Sequence, residues 1–230
     1  MSDARTGVPV LAVTGMAFEA KIVRGRGIDV VFAARADWLE RALSEAVARG
    51  CSGIVSFGTA GGLAPDLEAG TLIVADAVVG PLGRIATDVT WSNRIAGALP
   101  VGFRMLRGVM AGVTAPVTSE QEKWSLFQST GALAVDMESH IAGAIASARG
   151  LPFAVCRAIV DPAWRTLPTA ATAGLRDDGH TAIAPILREL LRQPSQLGAL
   201  LRLAGDARAA RTSLVQARQA MGAAGALAFD

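Results

Sequence analysis

The chain holds only two cysteines in 230 residues, Cys51 and Cys156, too few for a disulfide framework. Both lie in apolar stretches and read as small buried thiols. Its two histidines, His140 and His180, are far apart and have no metal-ligand spacing, so no metal site is expected. An excess of one charge is also missing. Lys and Arg number 22 against 20 Asp and Glu, a formal +2 with no basic run, which speaks against a nucleic-acid surface. No apolar run reaches the ~20 residues of a spanning helix. The best candidate, 141–160, is broken by Arg149, Gly150, Pro152 and Arg157. The opening MSDARTGVPVLAV has no apolar segment behind a basic start and no small-residue cleavage site, so a soluble, cytoplasmic protein without a signal peptide is expected. Tyrosine is absent and aromatics are 5% of the chain, yet 51% is hydrophobic, ample for a packed core and against general disorder. The length fits one domain spanning 1–230, with a core over about 8–180 and a helical tail over about 181–222.

Short apolar runs alternate with helical patterns. Residues 8–14 (VPVLAVT) read as a strand buried on both faces. Further strands are expected at 28–32, 53–57, 71–79, 104–113, 133–135 and 151–160. Residues 37–49 predict a helix stopped by Gly50. Thr118 and Ser119, followed by Gln121 and Glu122, open a helix that stops at Gly131. Residues 138–149 predict another, closed by Gly150. Beyond Pro168 the chain reads as helical. Ile183, Ile186, Leu187, Leu190 and Leu191 share one apolar face, and Leu197, Leu200, Leu201 and Ala204 share a second. The last ten residues, MGAAGALAFD, are expected to fray. Strands alternating with helices imply an α/β fold with a largely parallel or mixed central sheet, whose ligands bind beyond the carboxyl ends of strands.

Glu19 stands about five residues past the first strand, where it reads either as a first-turn dipole partner or as a site carboxylate. The 53–57 strand runs into a glycine-rich turn, Gly58-Thr59-Ala60-Gly61-Gly62, which lets backbone approach a ligand. It has neither the Lys and Ser/Thr of a phosphate-cradling loop nor a dinucleotide spacing, so ATP and NAD are disfavoured. Asp136, Met137 and Glu138 lie at a strand-to-helix junction, either as helix caps or as a carboxylate and thioether that grip a sugar. His140 reads as structural or as a neighbour of the site. Asp161, held by Pro162 at the mouth of a buried strand, is either a turn cap or a general acid.

The segments GMAFEA, SFGTAGGLAPDLEAGTLIVAD and AVDMESHIAGAIASARGLPFAVCRAIVDPA, in this order and spacing, resemble the purine nucleoside phosphorylase and nucleosidase superfamily over roughly residues 8–163. With the arginine-rich tail, they look closest to the hopanoid-associated phosphorylases, thought to remove adenine from adenosylhopane. The resemblance implies a three-layer fold with a central mixed sheet flanked by helices and a helical C-terminal tail. It implies cleavage of the N-ribosidic bond of a 5′-modified adenosine without metal or organic cofactor, in a homodimer or larger homo-oligomer; a nucleosidase for methylthioadenosine or S-adenosylhomocysteine and a catalytically silent purine-binding protein are the alternatives. Carried over residue by residue, Glu19, reached by aligning Met16, positions the attacking water. Thr59 and Gly61 lie near the ribose, Met137 and Glu138 hold it, and Asp161 protonates purine N7, with Arg157 four residues before it.

Two departures stand out. Val160 replaces the serine that precedes the catalytic aspartate in those nucleosidases. The purine-stacking aromatic is replaced within Thr114-Ala115-Pro116-Val117, where Val117 is left to line the base pocket. The nucleophile is the open question. Ser56 and Phe57 stand where a phosphorylase carries an anion-binding arginine, and a phosphate beside Glu19 meets like-charge repulsion of roughly 1 kcal/mol at 4 Å in water. Hydrolysis is therefore expected, with phosphorolysis open if Arg84 or Arg157 reaches the anion. The arginines of the tail, among them Arg188, Arg192, Arg202, Arg208, Arg211 and Arg218, read either as a solvated basic face over core-packing helices or as a peripheral contact with the inner membrane for a lipid-linked nucleoside.

Overall fold

The apolar run at the start of the chain forms strand β1 (Val10–Thr14), buried at every position. Its side chains alternate between two cores, Leu11 and Val13 on one face of the sheet and Val10 and Ala12 on the other. The structure, a computed structural model, describes residues 7–174 and 176–227. After β1 come α1 (Ala17–Val23), β2 (Ile28–Phe32), α2 (Ala36–Ala48), β3 (Gly53–Gly62), β4 (Leu72–Gly80), β5 (Gly83–Ala86), α3 (Val89–Ala98) and β6 (Met105–Gly112). Then follow α4 (Glu120–Thr130), β7 (Ala134–Asp136), α5 (Ser139–Ala148), β8 (Phe153–Asp161), α6 (Thr169–Ala173), α7 (Ile183–Arg192) and α8 (Leu197–Ala223).

The strands form one mixed sheet in the order β2-β1-β3-β7-β6-β4-β5, with β8 paired to both β3 and β4. Because β8 runs parallel to β3 and antiparallel to β4, the strands β3, β7, β6, β4 and β8 close a ring. Helices cover both faces. Leu39, Leu43 and Val47 of α2 and Ile141, Ala142 and Ala146 of α5 pack with Ile54, Ile73 and Val155. On the opposite face Val23 of α1, Trp91 and Ile95 of α3, and Ala210, Leu214, Ala217 and Met221 of α8 cover Val55, Phe57, Val74 and Cys156. This is the expected α/β architecture with helical layers on either side of a mixed sheet.

Local signals were placed as chemistry requires. Ser119 caps α4 by accepting from the Glu122 amide at 3.2 Å, and Glu122 accepts from the Ser119 amide at 2.9 Å. Gly131 ends that helix in the left-handed region at φ 65°.

Three expectations need correction. The glycine-rich segment 58–62 is not a turn but the second half of β3, since its small residues let β3 pair with β8 and β7 at once. The end of the chain does not fray as far as residue 227: Ala226 and Leu227 are buried, and the Trp91 indole donates to the Ala226 carbonyl at 2.8 Å. Residues 228–230, like 1–6 at the start, lie outside the described ones. In the tail, core packing, one of the two readings left open, holds only in part: Ile186, Leu190 and Leu200 are half-buried. Leu187, Leu191, Leu197 and Leu201 are exposed, and α8 enters the core only from Ala210 onward. The side chain of Ile183 lies outside the described set. Arg218 leaves the basic face, because it is half-buried and donates to the carbonyl of Val23 at 2.8 Å.

Candidate active site

The carboxyl ends of β1, β3, β7 and β8 converge. Glu19, in the first turn of α1, folds back on the loop that leaves β1: its Oε2 accepts from the Gly15 and Met16 amides at 3.1 and 3.0 Å. Its Oε1 accepts from both the amide and the hydroxyl of Thr59, each at 2.7 Å. Glu19 is thus both a helix-start partner and a tie between α1 and β3. Gly58 is required beside it. At φ 152° its backbone is one that side chains rarely adopt, and a Cβ there would stand 2.6 Å from Glu19 Oε2 and 2.8 Å from an Arg157 nitrogen.

Arg157, on β8, is buried beneath this cluster. It donates to Ser56 Oγ at 2.6 Å and to the Thr59 carbonyl at 3.2 Å. It pairs with Glu138 at 3.1 Å, and its Nε lies 2.9 Å from Asp136 Oδ2 in an ion pair whose N–H is not aimed along the contact. Asp136 also accepts from the amide and hydroxyl of Ser139, whose hydroxyl reaches Ser56 Oγ at 2.8 Å. One guanidinium therefore serves three carboxylates, Glu19, Asp136 and Glu138. Burial alone would pull Arg157 down, but Asp136, Glu138 and Glu19 outweigh it and hold it above its usual range. Glu138 is the carboxyl that keeps its proton. Burial pushes it up to about 8, Arg157 opposes this, and Asp136 and Glu19 add to it.

Asp161 ends β8. A bulge at Val160 sets Gly61 opposite Asp161 rather than opposite its predecessor, re-aiming the carboxyl at the ring's end. Burial raises the Asp161 carboxyl above its ordinary range, against the pull of Lys123. Lys123, on α4, is fully buried, and its Nζ lies 2.7 Å from Asp161 Oδ2.

The segment 176–180 crosses the ends of β1 and β2. The Gly179 carbonyl accepts from the Ala17 amide at 3.0 Å, and the Asp177 carbonyl accepts from the Ala34 and Arg35 amides at 3.1 Å each. Gly179, at φ 77°, would place a Cβ 2.6 Å from the Gly15 carbonyl, so a side chain there would displace the loop that holds Glu19.

The structure brings together Glu19, Met16, Thr59, Glu138 and Arg157, with Met137 between Asp136 and Glu138, and Gly61 beside Asp161. Val117 lies farther out, half-buried in the wall of an open hollow of about 780 Å3 that also takes in Thr114, Ala115 and Pro116. Two residues do not fit the anion role open to them. Arg84 is exposed on edge strand β5, beside a separate hollow of about 490 Å3 lined by 84–88 and 150–153. Arg157 is committed to carboxylates and to Ser56. His140 is buried against Gly112, its Nδ1 has no partner among the described residues, and burial lowers it, so it holds no anion. Sequence reasoning missed Lys123 and Ser139, and it missed Ser56 as a partner of Arg157. Lys123 had one available signal: it is one of only two lysines in the chain. Among the described residues, no group of His, Cys, Asp and Glu is placed to hold a metal, and no helix is long and apolar enough to cross a membrane.

A family profile of the phosphorylase superfamily matches residues 7–192. The chain is similar in structure to the 5′-methylthioadenosine/S-adenosylhomocysteine nucleosidase of Helicobacter pylori, with 17% identity over 95% of this chain and 98% of that one and a TM-score of 0.67. It is similar to the futalosine hydrolase of the same organism, at 17% identity, covering 95% and 97% with a TM-score of 0.68. A methylthioadenosine/S-adenosylhomocysteine nucleosidase from Neisseria meningitidis, in complex with methylthio-immucillin-A, aligns at 13% identity over 93% and 98% with a TM-score of 0.68. At these identities the solved structures speak for the fold. No curated protein sequence matches the chain.

Proposed function

The chain belongs to the phosphorylase superfamily, which makes it an N-ribosyl hydrolase or phosphorylase, and on that premise we propose that it cleaves the N-ribosidic bond of a 5′-modified adenosine with water. The observation that carries this reading is the charge arrangement. Ser56, at the position where a phosphorylase carries an arginine, is buried and accepts from Arg157. A second arginine there would press cation against cation. Arg157 is itself outnumbered by carboxylates, so the cluster repels a phosphate and attracts a developing cation.

Bond cleavage builds positive charge on the ribose and negative charge on the purine. Glu19 favours the oxocarbenium-like sugar, Glu138, which keeps its proton up to about 8, holds the ribose hydroxyls, and Thr59, whose hydroxyl is the rotatable donor on Glu19, can give way to a water that Glu19 then polarises. Asp161 protonates N7 of the leaving base, a contribution typically worth about 10²–10⁴-fold. The names of the structural neighbours, nucleosidases and a hydrolase, agree with water as nucleophile. Incubating the enzyme with its substrate with and without phosphate, and weighing the sugar product, tests this. Free ribosyl product at an unchanged rate is expected, with Glu19→Gln abolishing turnover; a phosphate-dependent rate with a ribose-1-phosphate product would overturn it.

The substrate we propose is adenosylhopane, giving adenine and ribosylhopane in hopanoid biosynthesis, by an enzyme that works in the cytoplasm as a homodimer or larger homo-oligomer. This rests on the sequence resemblance. The open hollow at Thr114–Val117, free of a stacking aromatic, suits a looser base pocket. Peripheral membrane contact belongs to the same reading. Leu187, Leu191, Leu197 and Leu201 stand exposed beside Arg188, Arg192 and Arg202, as an interfacial helix requires. Flotation with anionic liposomes at low salt is expected to carry the protein. Equal recovery with neutral and anionic lipid would remove the membrane role.

A further inference from the structure

A lysine that is entirely withdrawn from solvent has to be used by the fold, and Lys123 is surrounded by four oxygens. Its Nζ donates to the carbonyls of Asp161 at 3.1 Å, Pro162 at 2.9 Å and Arg165 at 2.9 Å, and stands 2.7 Å from Asp161 Oδ2. The capped first turn of α4 fixes where the side chain starts. We propose that Lys123 is a positioning residue for Asp161, holding one carboxylate oxygen so that the other is presented to the leaving purine. The inference rests on the reading of Asp161 as the acid, and it fills the place left by Val160, which has no hydroxyl to orient that carboxyl.

The count of donors and acceptors separates this role from a plain structural tie. An ammonium has three N–H donors, and three carbonyls already satisfy them. The carboxylate is a fourth, exchangeable partner. Asp161 can take up or release a proton without leaving the buried ammonium unsatisfied, because the three carbonyls remain. Oδ2 is the oxygen that Lys123 holds, and Oδ1 has no side-chain partner among the described residues. The turn 161–165 is tied by the same ammonium, so the carboxyl and the chain that carries it are held from one point. The charged groups that face Asp161 are Lys123 from α4 and Asp206 from α8, the latter paired with Arg165 at 2.7 Å. Burial and Asp206 favour the acid form and Lys123 favours the ionised one.

The test compares wild type, Lys123→Met and Asp161→Asn in the full chain. Adenine release is followed against pH with adenosine, 5′-deoxyadenosine, 5′-methylthioadenosine and a long-chain 5′-alkyl adenosine as probes, using whichever is turned over fastest. Removing the cation makes the Asp161 carboxyl a weaker acid. The alkaline limb of kcat/KM should therefore move up by about one unit or more in Lys123→Met. Its kcat should fall roughly tenfold while KM changes less than about threefold. Asp161→Asn should lose the limb altogether. If Lys123→Met does not fold, Lys123→Gln, which keeps two N–H donors for the carbonyls but no charge, carries the same expectation. A folded neutral variant with an unshifted limb and near wild-type kcat, alongside an inactive Asp161→Asn, would overturn the role of Lys123 alone. An active Asp161→Asn would overturn the acid assignment as well.

Discussion

Glu19, Asp136 and Glu138 share the single cation Arg157, whereas among the described residues Asp161 is the one carboxylate paired with Lys123. The two systems lie side by side, because Thr59 touches Glu19 and Gly61, two residues along the same strand, touches Asp161. Both are buried and both pair carboxylate with cation, yet they are balanced differently. The first has three carboxyl groups to one cation, and burial, with Asp136 and Glu19 adding to it against Arg157, pushes Glu138 up to about 8, so that Glu138 keeps its proton. The second is matched one to one. Surplus negative charge is what a sugar passing through a cationic state requires, and a matched, singly held carboxyl is what a proton donor requires. The contrast teaches that cation count, more than carboxylate count, divides the labour.

The largest effect that breaks this comparison comes from Asp161→Asn, which keeps the shape and the Lys123 contact but has no carboxyl proton to give. kcat should fall by about 10²-fold or more with melting and circular dichroism unchanged. Activity within about threefold of wild type would mean that the matched pair is only structural. A smaller effect sharpens the other side. In the folded protein Glu138 retains a proton up to about 8, while an unfolded chain releases it near the ordinary 4.5. Between those values the native state binds more protons, so this group makes stability fall as pH rises through that window. Glu138→Gln cannot release a proton. Its melting temperature, measured from pH 5 to 8, should gain on wild type as pH increases. Parallel curves for the two proteins would show that Glu138 does not keep its proton in the folded state.

The parts of the molecule that were readable from sequence share a physical cause. The strands of the sheet were plain because residues buried on both faces are mostly apolar, as in β1 up to Thr14 and in β8 apart from Arg157 and Asp161. Gly131 and Gly150 marked helix ends because φ near +65° favours glycine. Glu19, Glu138 and Asp161 stood out only when the resemblance lent them context, since each alone is an ordinary carboxylate near a helix start or turn. What stayed hidden depends on distant pairing. Lys123 sits among polar residues of a short helix, and only the meeting of α4 with the turn after β8 turns it inward. Gly58 to Gly62 looked like a turn because three glycines and an alanine around Thr59 carry little strand propensity, yet two neighbouring strands fix them in the sheet. The tail leucines followed a helical period that says which residues share a face but not what that face meets.

The late position of α8 has a consequence for how the molecule is made. Ala210, Leu214, Ala217, Met221 and Ala226 cover the same sheet face as Val10 and Ala12, which leave the ribosome long before them. Until that helix arrives, Val55, Phe57, Val74 and Cys156 have only α1 and α3 against them, so the nascent chain must carry an unroofed apolar surface until α8 has emerged. Closure joins residues nearly a whole chain apart, a long loop to bring together before any contact compensates. Folding to the active arrangement is therefore expected to wait for α8 and to close when the indole of Trp91 meets the carbonyl of Ala226.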